Sequence, residues 1–175
     1  MSRHTITVFG SGHCRPGTPP YETARELGRA IAAAGWTLCN GGYGGTMEAA
    51  ALGATEVGGH TIGVTCVLFR DRGGANAYVR EEIRAPDLLA RLRVLIERGD
   101  GYVVLPGGTG TLTELALVWE MVNKGLVQPR PIVLLGPHWA PVVTAVRAEQ
   151  PDALDLPVAH TPAEAVARLQ TALRA

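Results

Sequence analysis

The run Leu105-Pro106-Gly107-Gly108-Thr109-Gly110-Thr111-Leu112-Thr113-Glu114 sets a glycine-rich turn, threonine hydroxyls and a carboxylate between two different hydrophobic periods. Before it, Gly101-Tyr102-Val103-Val104-Leu105 is a short apolar stretch rich in β-branched and aromatic side chains, the composition of a strand buried in a parallel sheet. After it, Leu115, Val118, Trp119 and Val122 recur at helical spacing. The glycines thus fall at the carboxyl end of a strand and the head of a helix, where open α/β sheets bind ligands. Unpaired N–H groups in a first helical turn, with the positive end of the helix dipole, favour a phosphate there. The same residues also fit a tight connection without a ligand, in which Thr111 and Glu114 stand at capping-box spacing.

The rest of the chain weighs between these readings. Ile6-Thr7-Val8-Phe9 reads as a first strand running into Gly10-Ser11-Gly12, and a helix is expected from near Tyr21 to a stop at Gly35. Trp36-Thr37-Leu38-Cys39 reads as a second strand, followed by the loop Gly41-Gly42-Tyr43-Gly44-Gly45 and a small-residue helix over 46–57, whose Gly53 permits close approach to a sheet. Thr61 to Thr65 predicts a third strand, with a short one near Ile83 and a helix from Asp87 to Arg98. Pro131 to Leu135 predicts a further strand, with helices over 139–149 and 162–173. Alternating strands and helices require right-handed crossovers and a parallel sheet covered on both faces, a doubly wound Rossmann-like α/β fold in a single domain over 1–175. Three strand ends then carry glycine loops, and converging loops form a cleft where one would be a turn.

Composition narrows the function. Lys+Arg 16 balance Asp+Glu 16, so no charge field gathers nucleic acid. No apolar run has the length of a membrane span, and Met1-Ser2-Arg3-His4-Thr5 lacks the apolar core of a signal peptide, so a cytoplasmic protein is expected. Cys14, Cys39 and Cys66 are widely spaced and odd in number, suggesting neither a disulfide framework nor a zinc site, and the five histidines show no helical pairing for a metal. Of these histidines only His13 falls where a pocket is expected, and a solvated loop histidine is the commoner reading of it. Neither a metal nor a cofactor is expected. A redox dinucleotide fingerprint is broken, because Arg15 stands where Gly10-Ser11-Gly12-His13-Cys14 calls for a third glycine and Pro16, Pro19 and Pro20 delay the helix. No Gly-Lys-Ser or Gly-Lys-Thr of a P-loop occurs.

Pro106-Gly107-Gly108-Thr109-Gly110-Thr111-Leu112-Thr113-Glu114 resembles the Pro-Gly-Gly-x-Gly-Thr-x-x-Glu signature of the LOG ("Lonely guy") proteins, the cytokinin riboside 5′-monophosphate phosphoribohydrolases, often labelled lysine decarboxylases. Gly41-Gly42-Tyr43-Gly44-Gly45-Thr46-Met47-Glu48-Ala49 is similar to that family's second glycine motif, and Gly10-Ser11 to its first loop. Arg91, fifteen residues before Pro106, matches the family arginine paired with the signature glutamate. The resemblance spans residues 5 to 135. Leu92 stands where plant-type members have lysine, Tyr43 replaces a motif glycine, and the 66–84 segment does not align.

The resemblance implies hydrolysis of the N-glycosidic bond of a nucleoside 5′-monophosphate, AMP or a cytokinin riboside monophosphate, to free base and ribose 5-phosphate. Glu114 and Arg91 would be catalytic. Gly107, Gly108, Thr109, Gly110 and Thr111, with Gly10, Ser11, Gly41, Gly42, Gly44, Gly45, Met47 and Glu48, would bind nucleotide. A homodimer is implied too, with the Trp119 and Met121 helix or its neighbours at the interface. The base pocket is expected to draw on Arg70 to Arg80. Alternatives remain open: Arg91 in a surface ion pair with Glu97 or Asp87, Glu48 complementing its own helix start, or a non-catalytic nucleotide or molybdenum-cofactor carrier of the same fold. Lysine decarboxylation through a Schiff base is rejected, because the only lysine, Lys124, falls at a helix end where it complements the dipole.

Overall fold

A computed structural model describes residues 4–69 and 73–174 of the chain. Strands β1 (Thr5–Phe9), β2 (Thr37–Asn40), β3 (Thr61–Cys66), β4 (Glu81–Ala85), β5 (Gly101–Val104), β6 (Ile132–Leu135) and β7 (Val158–Ala159) form one parallel sheet in the order β4-β3-β2-β1-β5-β6-β7. Helices α1 (Pro19–Ala33), α2 (Thr46–Glu56), α3 (Leu88–Arg98), α4 (Thr109–Asn123), α5 (Ala140–Glu149) and α6 (Pro162–Leu173) alternate with them. The expected doubly wound fold is present, and the order reverses between β1 and β5, the crevice where such sheets bind ligands.

Strand alternation sorts the core into two layers. Ile6, Val8, Leu38, Val103 and Val133 pack against α1, α2 and α6, whereas Phe9, Cys39, Val64, Tyr102 and Leu134 pack against residues of α3 and α4. Each fully buried side chain of this kind contributes about 1.5–3 kcal/mol. Edge strand β4 carries Glu81, Glu82 and Arg84, charges that discourage further strand pairing.

Several boundaries differ from expectation for physical reasons. Pro19 and Pro20 begin α1 instead of delaying it, because the first positions of a helix need no N–H. Gly53 faces a helix instead of the sheet: a Cβ there would lie 1.8 Å from the Arg25 carbonyl oxygen on α1. Two-residue β7 has too short a pattern to be read locally. Asp87 caps α3 by accepting from the Ala90 N–H at 2.8 Å. Among the described residues no helix is long and apolar enough to cross a membrane.

Candidate active site

The first and third glycine loops meet over the β1/β5 crevice around a cavity of about 320 Å³. Gly10, Ser11, Gly12 and His13 form one wall, and Gly108, Thr109, Gly110, Thr111, Thr113 and Glu114 form another. Met47, Phe69, Leu88, Arg91 and Leu92 complete the lining.

The loop after β5 makes a cradle. A Cβ on Gly107 would meet the Thr111 Oγ1 at 2.2 Å, so glycine lets the chain lie directly over that hydroxyl. Gly108 is the N-cap of α4 and makes no side-chain cap, so the N–H groups of the first turn have no intrahelical acceptor. The capping box open to Thr111 and Glu114 does not form: Thr111 and Glu114 are both buried, and Glu114 is turned to Arg91.

Arg91 and Glu114 are 6% and 8% exposed, and Nη1 of Arg91 stands 3.5 Å from Oε1 of Glu114. Arg91 is not in a surface pair with Glu97 or Asp87. Its Nε donates to the Val64 carbonyl at 2.8 Å and its Nη2 to the Gly41 carbonyl at 3.4 Å, fixing the guanidinium against the ends of β2 and β3. The Tyr43 and Phe69 rings flank it, with centres 5.7 and 5.8 Å from Cζ, an arrangement favourable to a cation. Tyr43 is anchored in turn, its hydroxyl accepting from the Cys66 N–H at 2.8 Å.

Burial pushes the Glu114 carboxyl up to about 7, against the opposing charge and hydrogen bond of Arg91. One long contact to a guanidinium held mainly by carbonyls and rings does not offset the loss of water. A carboxyl poised near neutrality can take or give a proton. Beside the uncapped first turn of α4 it can also place negative charge against a developing cation.

The second glycine loop stands partly beside and partly behind this cavity. Of that motif Met47 lines the cavity, and Gly44 with Tyr43 lines a second pocket that shares Gly12 and His13 with it. A Cβ on Gly41 would lie 2.0 Å from the Arg91 Nη2, so this glycine makes room for the guanidinium. Gly45, at φ 68°, lies against the first loop, and Thr46 donates its N–H to the Ser11 carbonyl at 2.8 Å. The second loop therefore braces Arg91 and the first loop from behind. Glu48 is half-buried and outside the lining, where its charge raises the pKa of Tyr21 and Cys14 in addition to the effect of their burial.

His13 is solvent-exposed and also lines the cavity, and His138 reaches the signature loop, with Nε2 3.2 Å from the Gly107 carbonyl oxygen. Sequence reading missed His138, Trp139 and Phe69; the glycine and proline that follow β6, Gly136-Pro137, were the available signal for the first two. Trp119 is not a surface residue. It is buried within the chain and donates from Nε1 to the Leu154 carbonyl at 3.0 Å. Of the stretch expected to hold the base, Arg70, Asp71 and Arg72 lie outside the described residues. Among the described residues no group of three or more His, Cys, Asp or Glu side chains is placed to hold a metal ion.

Comparison with known proteins bears out the resemblance. The model of the SLOG cluster4 family matches residues 3–166. A cytokinin riboside 5′-monophosphate phosphoribohydrolase of Mycobacterium tuberculosis is 38% identical over 117 residues, 66% of this chain and 62% of that protein, so the match spans less than two thirds of that relative. A pyrimidine/purine nucleotide 5′-monophosphate nucleosidase of Escherichia coli is 31% identical over 67% of this chain and 28% of its own length. Among solved structures, the molybdenum cofactor carrier protein of Chlamydomonas reinhardtii superposes with a TM-score of 0.81 at 29% identity, covering 99% of this chain and 100% of that one.

Proposed function

The chain belongs to the SLOG cluster4 family, and on that premise we propose that it is a nucleoside 5′-monophosphate phosphoribohydrolase. The observation that carries this reading is the buried Arg91–Glu114 pair at the edge of the α4 cradle. The 5′-phosphate accepts from N–H groups of the 108–111 turn and from threonine hydroxyls. Glu114, a turn and a half into α4, faces the ribose. As the bond from C1′ to the base nitrogen breaks, its carboxylate stabilises the oxocarbenium ion and takes the proton of the water that adds to C1′. The leaving base nitrogen takes its proton from solvent water, and Glu114 afterwards returns to solvent the proton it took, so that one water is consumed overall. Arg91 keeps its own proton, so its part is to balance and hold the Glu114 charge.

The protein acts in the cytoplasm as a homodimer. Leu88, Leu89 and Leu112 are 44%, 75% and 37% exposed on α3 and α4 near the cleft, an apolar edge suited to a second copy.

The second reading, a carrier, is favoured by the full-length likeness to the molybdenum cofactor carrier protein. A carrier needs the cleft but not a buried carboxyl poised near neutral pH. The test is incubation with AMP and with isopentenyladenosine 5′-monophosphate, measuring free base and ribose 5-phosphate. Release abolished in both Glu114→Gln and Arg91→Ala supports the hydrolase; saturable binding without release supports the carrier.

A further inference from the structure

The anion cradle is held from outside by a pair of side chains that do not line the cavity. Leu105 is tied on both sides: its N–H donates to the Phe9 carbonyl at 2.9 Å, and its carbonyl accepts from Nε1 of the buried Trp139 at 2.9 Å. Pro106 brings no N–H. Two residues on, the Gly107 carbonyl oxygen lies 3.2 Å from Nε2 of His138. A carbonyl only accepts, so this contact requires the tautomer with its proton on Nε2. His138 is itself seated edge-on against Trp139, with ring centres 4.6 Å apart and planes at 89°.

A trans peptide unit is planar and its C=O and N–H point in opposite directions. The unit joining Gly107 to Gly108 has its carbonyl drawn outward to His138, so its N–H, that of Gly108, is turned the other way, and Gly108 lines the cavity. Gly107 and Gly108 have no side chains to restrain this unit, and glycine is the residue most free to rotate it. We infer that His138, seated by Trp139, is a positioning residue that aims the Gly108 N–H at the bound phosphate. The role rests on the reading of the 107–111 turn as a phosphate cradle. It acts on binding of the phosphate and not on the Arg91–Glu114 pair.

The experiment measures dissociation constants of ribose 5-phosphate and adenosine, together with kcat and KM for AMP, in the intact protein and in His138→Ala, His138→Gln and Trp139→Phe. His138 is exposed, so the alanine variant leaves the core intact, and melting curves check this. Expected are a loss of about 3- to 10-fold in ribose 5-phosphate affinity in His138→Ala, the effect of one hydrogen bond, and a matching rise in KM with kcat unchanged. Adenosine binding stays the same, and His138→Gln, which restores a donor, returns within about twofold of the parent. Trp139→Phe, which keeps the ring but removes the donor, weakens ribose 5-phosphate as well. Unaltered ribose 5-phosphate affinity in His138→Ala, or an equal loss for adenosine, overturns the inference. Absence of base release from AMP in the parent protein overturns the hydrolase reading and leaves the affinity comparison to decide the positioning role.

Discussion

Gly28 and Gly53 lie where α1 crosses α2, and a Cβ on either would come within 1.9 or 1.8 Å of a backbone carbonyl oxygen, that of Ala50 or of Arg25. Gly108 and Gly110, at the head of α4, have nothing within 4 Å of where a Cβ would stand. One pair is glycine because the protein itself fills the space, the other although the space is open. Open space lined by first-turn N–H groups and backed by a buried ion pair is what a ligand requires; filled space is packing. The comparison teaches that a glycine-rich sequence acquires its meaning from what faces it.

The largest effect that would sharpen this contrast is at the cleft. Glu114→Gln is expected to lower kcat for base release by about 10³-fold, roughly 4 kcal/mol in the transition state, while leaving AMP binding within a few fold. Retained turnover in this variant removes the reacting group from the proposal. At the packed crossing, Gly53→Ala and Gly28→Ala should each lower unfolding stability by about 2–3 kcal/mol through overpacking against backbone, with activity per folded molecule unchanged. Denaturant titration beside active-site counting checks both, and an unchanged midpoint breaks the comparison.

Acidity gives the next effect. The Glu114 carboxyl is raised by burial to about 7 in the folded chain, so between the ordinary carboxylate range and pH 7 the native state binds more protons than the unfolded one. Stability contributed by this group therefore falls as pH rises from 5 to 8, on the order of 2 kcal/mol, and the fall should flatten in Glu114→Gln. If the variant keeps the same slope, another group carries it. The kcat/KM profile should lose activity below pH about 7, where the carboxylate is protonated. Smallest is Gly110→Ala: with open space at Cβ, the melting temperature holds or rises slightly, while KM for AMP increases about 10-fold, or 1.4 kcal/mol, because the methyl group occupies the phosphate's approach. A stability loss like that of Gly53→Ala would place Gly110 with the packing glycines instead.

Much of this was legible in the chain. Strand β5 and helix α4 are read from period and composition, and Gly107 to Thr111 as a cradle from its place between them, because those signals are local. Arg91 needed the family resemblance: its helix pattern left a surface pair open, and only its burial against Val64, Gly41 and the Tyr43 and Phe69 rings excludes it. Gly41 to Gly45 read like the other loops, yet Gly41 and Gly45 are packed against Arg91 and the first loop while Gly44 lines a pocket, since which side of a loop faces solvent depends on the neighbouring strand's loop. Short β7 and the His138–Trp139 support carry too little local pattern to be found.

The sequence by itself determined the order of strands and helices apart from short β7, the doubly wound sheet and the glycine-rich turn between β5 and α4, because hydrophobic period, turn chemistry and helix-start geometry act within a few residues. Only the tertiary structure decided that Glu114 is buried enough to titrate near neutrality, that Gly41 of the second glycine loop makes room for Arg91, and that a histidine beyond β6 reaches the Gly107 carbonyl. Those outcomes depend on desolvation and on contacts between residues distant in the chain, and folding alone brings them together.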